Sequence, residues 1–288
     1  MDKGDFMVIG VIGLGLIGGT IAKSIRLNTD HTVLGRDIDR SVVLKAKLME
    51  AINYQLENEE IPKCDMIIIA LYPQSTLDVL NEIAPYISQK AVVIDCAGIK
   101  ENICIKAREI SQKYGFTFIG GHPMAGIEKS GFEYSNAEIF KNASMILTPY
   151  SDTSIEMMHN IKKFFLSIGF GKITVKTPSE HDRIIAYTSQ LAHVLSSAYI
   201  KSPTARDHRG LSAGSFKDMT RVAYLNETMW SELFFDNKDN LLNEIDTLIG
   251  HLQEYKNALE SDDKILMTAL LKDGKDKKIL ADSDEVDL

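Results

Sequence analysis

The chain has 288 residues, enough for one large domain or two of ordinary size. Its 44% hydrophobic and 25% charged content are those of a globular protein with a real core. Its formal net charge of −8 excludes a general nucleic-acid or anionic-membrane binder, which needs a basic surface. Three cysteines, Cys64, Cys96 and Cys104, form no CxxC pair and cannot all be matched in disulfides. They read as reduced thiols of a cytoplasmic protein.

Phe6 to Ala22 carries no charge, but it holds five glycines and is flanked by Asp2 and Asp5, so a buried strand running into a tight turn explains it better than a membrane span. Short apolar runs follow at Thr32–Leu34, Met66–Leu71, Ala91–Asp95, Thr117–Ile119 and Met145–Thr148, after a first at Met7–Ile12. Ile173–Val175 is a candidate for one more. Between them lie helical patterns at Ile17–Leu27, Ser41–Ala51, Ser75–Tyr86, Asn102–Tyr114 and Ser154–Ile168. Runs that are apolar throughout, such as Met66-Ile67-Ile68-Ile69-Ala70, suit a parallel sheet covered on both faces. The alternation predicts a doubly wound α/β domain of Rossmann type over residues 1–176. After Thr177 the pattern is helical, opening with Pro178 and acids in the first turn. Pro203 and Gly210–Gly214 interrupt it. Residues 177–272 are therefore expected to form an all-helical C-terminal domain, and 273–288 a frayed acidic tail.

Gly13-Leu14-Gly15-Leu16-Ile17-Gly18 fits GxGxxG in the required setting: a strand before, a helix after, and an acid about 20 residues on. Gly13 allows the turn, Gly15 lets backbone approach a pyrophosphate, and Gly18 lets the helix pack close to the strand. Leu16 and Ile17 open the helix whose N-terminus faces the phosphates. Leu71 and Gly98, after later strands, are expected to line the same crevice. Asp37 can hydrogen-bond the ribose hydroxyls and repel a 2′-phosphate, which favours NAD; Arg36 and Arg40 weigh the other way.

Three further blocks resemble the prephenate dehydrogenase family: Gly120-Gly121-His122-Pro123-Met124-Ala125-Gly126, then Ser189-Gln190-Leu191-Ala192-His193, then Phe216-Lys217-Asp218-Met219-Thr220-Arg221, with Met229-Trp230 after it. Their order, spacing and two-domain layout match over nearly the whole chain. The resemblance implies oxidative decarboxylation of prephenate to 4-hydroxyphenylpyruvate in tyrosine biosynthesis, or the same reaction on arogenate. It also implies a homodimer built through the helical domain. His122, at the carboxyl edge of the sheet, is the expected proton acceptor. His193 and Arg221 are expected substrate contacts, with Gln190 and Lys217 as weaker ones. No metal is expected.

Many family members carry a serine that helps to position the catalytic His, and Gly98 stands in its place in Asp95-Cys96-Ala97-Gly98. The loss leaves three readings: water or another group orients His122, turnover is slower than in serine-bearing relatives, or the chain is a dinucleotide-binding homologue with weakened chemistry. Glu128 is a candidate for discriminating a keto from an amino side chain. A β-hydroxyacid dehydrogenase of the same plan would use a Lys on the first helix of the helical domain, and residues 179–200 hold none. The chain reads as monofunctional, with tyrosine a possible competitor for the substrate site because the product resembles it.

Overall fold

Eight strands form one mixed sheet in the order β3-β2-β1-β4-β5-β6-β7-β8, in a computed structural model that describes residues 6–127 and 129–283. The strands are β1 (Val8–Ile12), β2 (Thr32–Arg36), β3 (Tyr54–Gln55), β4 (Met66–Ile69), β5 (Val92–Asp95), β6 (Thr117–Pro123), β7 (Ser144–Thr148) and β8 (Lys172–Val175). The helices between them are α1 (Leu16–Asn28), α2 (Arg40–Leu48), α3 (Pro73–Ile83), α4 (Glu101–Tyr114) and α5 (Ile155–Ser167). All four residues of β4 are buried, as a strand covered on both faces requires. On one face Ile21, Ile25, Val43, Ala46, Phe164 and Phe165 make the core; on the other Leu77, Leu80, Ile83, Ile103 and Ala107 do so.

Strands β1 to β6 are parallel, but β7 runs antiparallel to β6, and β8 follows β7. A parallel return needs a crossover that spans the sheet, usually a helix. Among its described residues the 124–143 connection holds only two short 3₁₀ turns, Phe132–Tyr134 and Ala137–Phe140, so the chain comes back alongside β6.

Beyond β8 the elements are helical: α6 (Pro178–Ile185), a π-helical turn (Ala186–Leu191), α7 (Ala192–Tyr199), α8 (Gly214–Thr220), a single turn (Arg221–Ala223) and α9 (Glu227–Asp236). Thr177 and Glu180 form a capping box that starts α6, with Pro178 in the first turn. Compactness divides the chain between Asn237 and Lys238, later than the change from α/β to helix, because Leu233, Met229 and Trp230 of α9 pack into the sheet's own apolar core. The second unit is a pair of packed helices, α10 (Lys238–Glu260) and α11 (Lys264–Ser283). Residues 273–283, expected as a frayed tail, continue α11. The pairs Lys272–Asp276 and Asp273–Lys277, each at 2.5 Å, bring opposite charges together one turn apart. Residues 284–288 lie outside the described residues. Among the described residues no helix is long and apolar enough to cross a membrane.

Candidate active site

The two central strands, β1 and β4, feed helices on opposite faces, and the crevice at their carboxyl ends is where open α/β sheets bind ligands. Gly13 has φ +87°, and a Cβ there would meet the Ala70 carbonyl oxygen at 2.5 Å and the Leu71 side chain at 2.7 Å. A Cβ on Gly18 would lie 1.8 Å from the Gly13 oxygen. Both glycines are demanded by the fold itself. Gly15 is different: a Cβ there would meet nothing within 4 Å, and no side chain caps α1. By contrast α2, α5 and α6 are capped by Asp39, Ser154 and Thr177. A helix N-terminus with open space before it and N–H groups left uncapped by side chains fits a pyrophosphate.

Asp37 follows β2 and accepts the Leu14 N–H at 2.7 Å and the Asp39 N–H at 2.9 Å. It thereby ties the glycine turn to β2, and each oxygen keeps a lone pair for a ribose hydroxyl. Arg36 donates to Asn58 at 3.0 Å and pairs with Glu82 at 2.7 Å. Leu71 lies against Gly13 at the same edge, and Leu16 and Ile17 form the first turn of α1.

His122 sits near the end of β6, paired across to Ile146 of β7. Two glycines precede it because a Cβ on Gly121 would strike the Asp95 carbonyl at 2.5 Å, and one on Gly120 the Thr148 hydroxyl at 2.2 Å. His122 Nδ1 is 2.9 Å from His181 Nε2, and His181 Nδ1 is 2.6 Å from Asp182 Oδ1. The Asp182 carboxylate also accepts the Lys100 N–H at 2.7 Å and the Glu101 N–H at 2.8 Å, at the N-terminus of α4. Beneath lies a fully buried ion pair, Asp95–Lys100. Asp95 further accepts the Ala97 N–H at 2.9 Å and the Gly121 N–H at 3.1 Å. Burial, then the neighbouring His181, then the Lys100 charge hold the His122 imidazole well below the ordinary histidine pKa. Burial also lowers His181, with the hydrogen bond to Asp182 pulling it back up. A neutral imidazole in this position is a base. A Cβ at Gly98 would stand 3.9 Å from His122 Nε2 and 3.4 Å from Leu233, so a side chain there would face the second ring nitrogen.

His193 lies on α7 with Nδ1 2.7 Å from the Ser189 carbonyl, so that nitrogen donates and Nε2 faces outward from the bond. Its ring lies over Trp230 with centroids 3.9 Å apart. The turn carrying Arg221 packs against α7, which puts the guanidinium on the element next to His193, and Arg221 is exposed. Lys217 is an exposed residue of α8. Gln190 is not placed as a substrate contact. It is buried, its NH₂ group donates to the Leu233 carbonyl at 2.8 Å, and its oxygen accepts from Asn237 at 2.8 Å. Its amide braces α9 instead. Glu128 lies outside the described residues.

Residues 21–175 match the model of the prephenate dehydrogenase nucleotide-binding domain, and residues 177–273 that of the prephenate dehydrogenase dimerization domain. The chain belongs to the prephenate dehydrogenase family. It is 27% identical to a prephenate dehydrogenase of Bacillus subtilis, over 92% of this chain and 73% of that one. It is similar in structure to an arogenate dehydrogenase of Synechocystis, with TM-score 0.81 and 26% identity over 96% of this chain and 100% of that one. A prephenate dehydrogenase of A. aeolicus, in complex with hydroxyphenyl propionate and NAD+, gives TM-score 0.81 and 26% identity over 96% and 99% of the two chains. The chain is thus an oxidoreductase that binds a nicotinamide dinucleotide and oxidises a cyclohexadienyl diacid of the prephenate or arogenate type.

Against this family background His181, Asp182, Lys100 and Asp95 are the residues that reading the sequence misses. His181 and Asp182 pass there as part of a helix start. The signal that singles them out is surplus: Thr177 and Glu180 already complete the cap, and neither His181 nor Asp182 is needed for it.

Proposed function

We propose that the enzyme oxidatively decarboxylates prephenate to 4-hydroxyphenylpyruvate with NAD, as a homodimer in tyrosine biosynthesis. The observation that carries this reading is His122. It is a neutral imidazole at the carboxyl edge of β6, with one ring nitrogen engaged by His181 and the other turned toward the Gly98 side. A bound nicotinamide supplies the hydride acceptor. His122 takes the hydroxyl proton as hydride leaves the same ring carbon. The bond to the ring carboxylate then breaks, its electron pair completes the aromatic ring, and His122 returns the proton to the phenolate oxygen. Atoms and charge balance with carbon dioxide released and no net proton lost. Aromatisation drives the reaction, so the residues chiefly orient the substrate and hold charge. Arg221 binds a substrate carboxylate through its planar fork, and His193 a second polar group. Lys217 adds positive charge on the neighbouring α8.

NAD is favoured over NADP because Asp37 stands at the end of β2 and Arg36 is already engaged by Glu82 and Asn58. The dimerization-domain match supports the homodimer. The free thiols Cys64, Cys96 and Cys104 fit a reducing compartment such as the cytoplasm. Arogenate is the second reading, favoured by the equal structural likeness to the Synechocystis arogenate dehydrogenase. NADH formation followed at each substrate, with NAD and with NADP, tests all of these together. Prephenate with NAD is expected to give the highest kcat/KM, and absence of NADH with either substrate overturns the assignment. His122→Asn is expected to lower kcat about 10²–10⁴-fold at unchanged dinucleotide affinity. Tyrosine is expected to compete with substrate; no effect at millimolar concentration removes it as an inhibitor.

A further inference from the structure

We propose that His181 and Asp182 are positioning residues that fix the tautomer of His122 and hold the substrate proton during each turnover, in place of the absent serine at position 98. The proposal rests on the reading of His122 as the proton acceptor and deepens it.

Hydrogen-bond direction along the line fixes the tautomers. The Asp182 carboxylate accepts from the Lys100 and Glu101 N–H groups, and a carboxylate has no proton to give. His181 must therefore donate Nδ1–H to it across 2.6 Å, which leaves His181 Nε2 with a lone pair. His122 Nδ1, at 2.9 Å, must then carry the proton of that contact. Its Nε2 is left as the lone-pair nitrogen, the one within 3.9 Å of where a residue-98 Cβ would stand. The chain thus selects which nitrogen meets the substrate hydroxyl, without help from residue 98. An imidazole's reactive nitrogen is commonly set by the bond its other nitrogen makes.

The same line accounts for the proton. As the substrate O–H bond breaks, a bond forms to His122 Nε2; the Nδ1–H bond of His122 breaks as its proton moves to His181 Nε2. The positive charge then rests on His181, where the Asp182 carboxylate opposes the burial and the Lys100 charge that both rings feel. His181 and Asp182 are each about 1% exposed, so the line has no outlet to solvent at that end. None is needed, because the reaction returns that proton to the product's oxygen.

The test begins on the protein alone, without cofactor or substrate. Long-range ¹H–¹⁵N spectra of the imidazoles, assigned with His122→Asn, are expected to show both His122 and His181 as Nδ1–H tautomers at neutral pH. His122 protonated at Nε2 overturns the proposal. Kinetics with NAD and the better of prephenate and arogenate then compare two variants. His181→Gln keeps an oxygen to accept the Nδ1–H bond but cannot take a proton; His181→Leu loses both capacities. Expected is a graded loss of kcat, about 10²–10⁴-fold for Leu and less for Gln, at unchanged KM for NAD. The acid limb of kcat/KM is expected to move down, since the ring that takes the first proton, held up by Asp182, is gone and the more deeply lowered His122 must carry the charge itself, with Lys100, Asp95 and Asp182 around it. Equal losses in both variants with the acid limb in place would mean that His181 only fills space, and the proposal fails. A wild type that forms no NADH from either substrate sinks the proposed function instead, and leaves the tautomer result to be judged by itself.

Discussion

Gly15→Ala separates the two demands made on the glycine turn. Gly15 has φ −69° and ψ −152°, an extended conformation open to alanine, and an added Cβ meets no atom within 4 Å. The folded state therefore gains no clash, and the stiffer unfolded chain is expected to stabilise the protein by about 0.4–1 kcal/mol. The methyl group instead occupies the space through which a pyrophosphate reaches the first turn of α1. Forcing a methyl into a close-packed contact costs about 1–3 kcal/mol, which is about a 5- to 150-fold rise in Kd. Titration calorimetry with NAD measures the second quantity, and thermal melting without ligand the first. Weakened binding at an undiminished Tm is the expected pair of results. Wild-type affinity in the variant would refute the crevice as the cofactor site, and a Tm lowered by several degrees would refute the claim that the space is empty. Gly18→Ala is the contrast, because its Cβ would lie 1.8 Å from a backbone oxygen and the turn itself must move.

Lys100→Met leaves the buried Asp95 without its cation and is expected to cost about 3–5 kcal/mol in urea denaturation; an unaltered midpoint would show the pair to be dispensable. Arg221→Ala is expected to raise KM for the substrate far more than it lowers kcat, and an unchanged KM removes Arg221 from the site. Gly98→Ser fits with an ordinary 3.4 Å contact to Leu233 and is expected to change kcat by less than about tenfold, because His122 is already oriented from its other nitrogen. A larger gain would show that orientation through His181 is incomplete. Both His122 and His181 are held below the ordinary histidine range by burial. Under about pH 6.5 the unfolded chain therefore binds more protons than the folded one, and stability is lost as pH falls through that window. Tm followed from pH 8 downward is expected to start dropping near that point, and less so in His181→Gln.

The α/β half was legible because each local signal agreed with its neighbours. Apolar runs such as Met66–Ile69 lie in the sheet interior, and the glycine turn has the strand and helix that its spacing demands. The direction of β7 was not legible, since it depends on the absence of a helix among the described residues of the 124–143 connection rather than on the strand's own residues. Around His122 the limit was of another kind. A buried polar side chain and a solvated one look alike in sequence, so Gln190 read as a ligand contact although its amide is spent on Leu233 and Asn237. Nothing in the sequence marks Lys100 as lying wholly inside, paired with Asp95. His181 and Asp182 were hidden by a helix start that explained their presence without needing them.

Asp182 answers to two structures at once, since one oxygen meets both His181 and the first N–H of the α4 entry, and the other the next N–H. Any local opening that lifts α6 from α4 uncaps a helix and releases the end of the imidazole line in the same motion. Catalytic competence is in this sense a report on docking: a partly opened molecule can keep its cofactor crevice, which belongs to α1 and the sheet, yet has already lost the alignment of its base. Loss of protection at the amides of Lys100 and Glu101 in hydrogen exchange would therefore mark the same event as the loss of turnover.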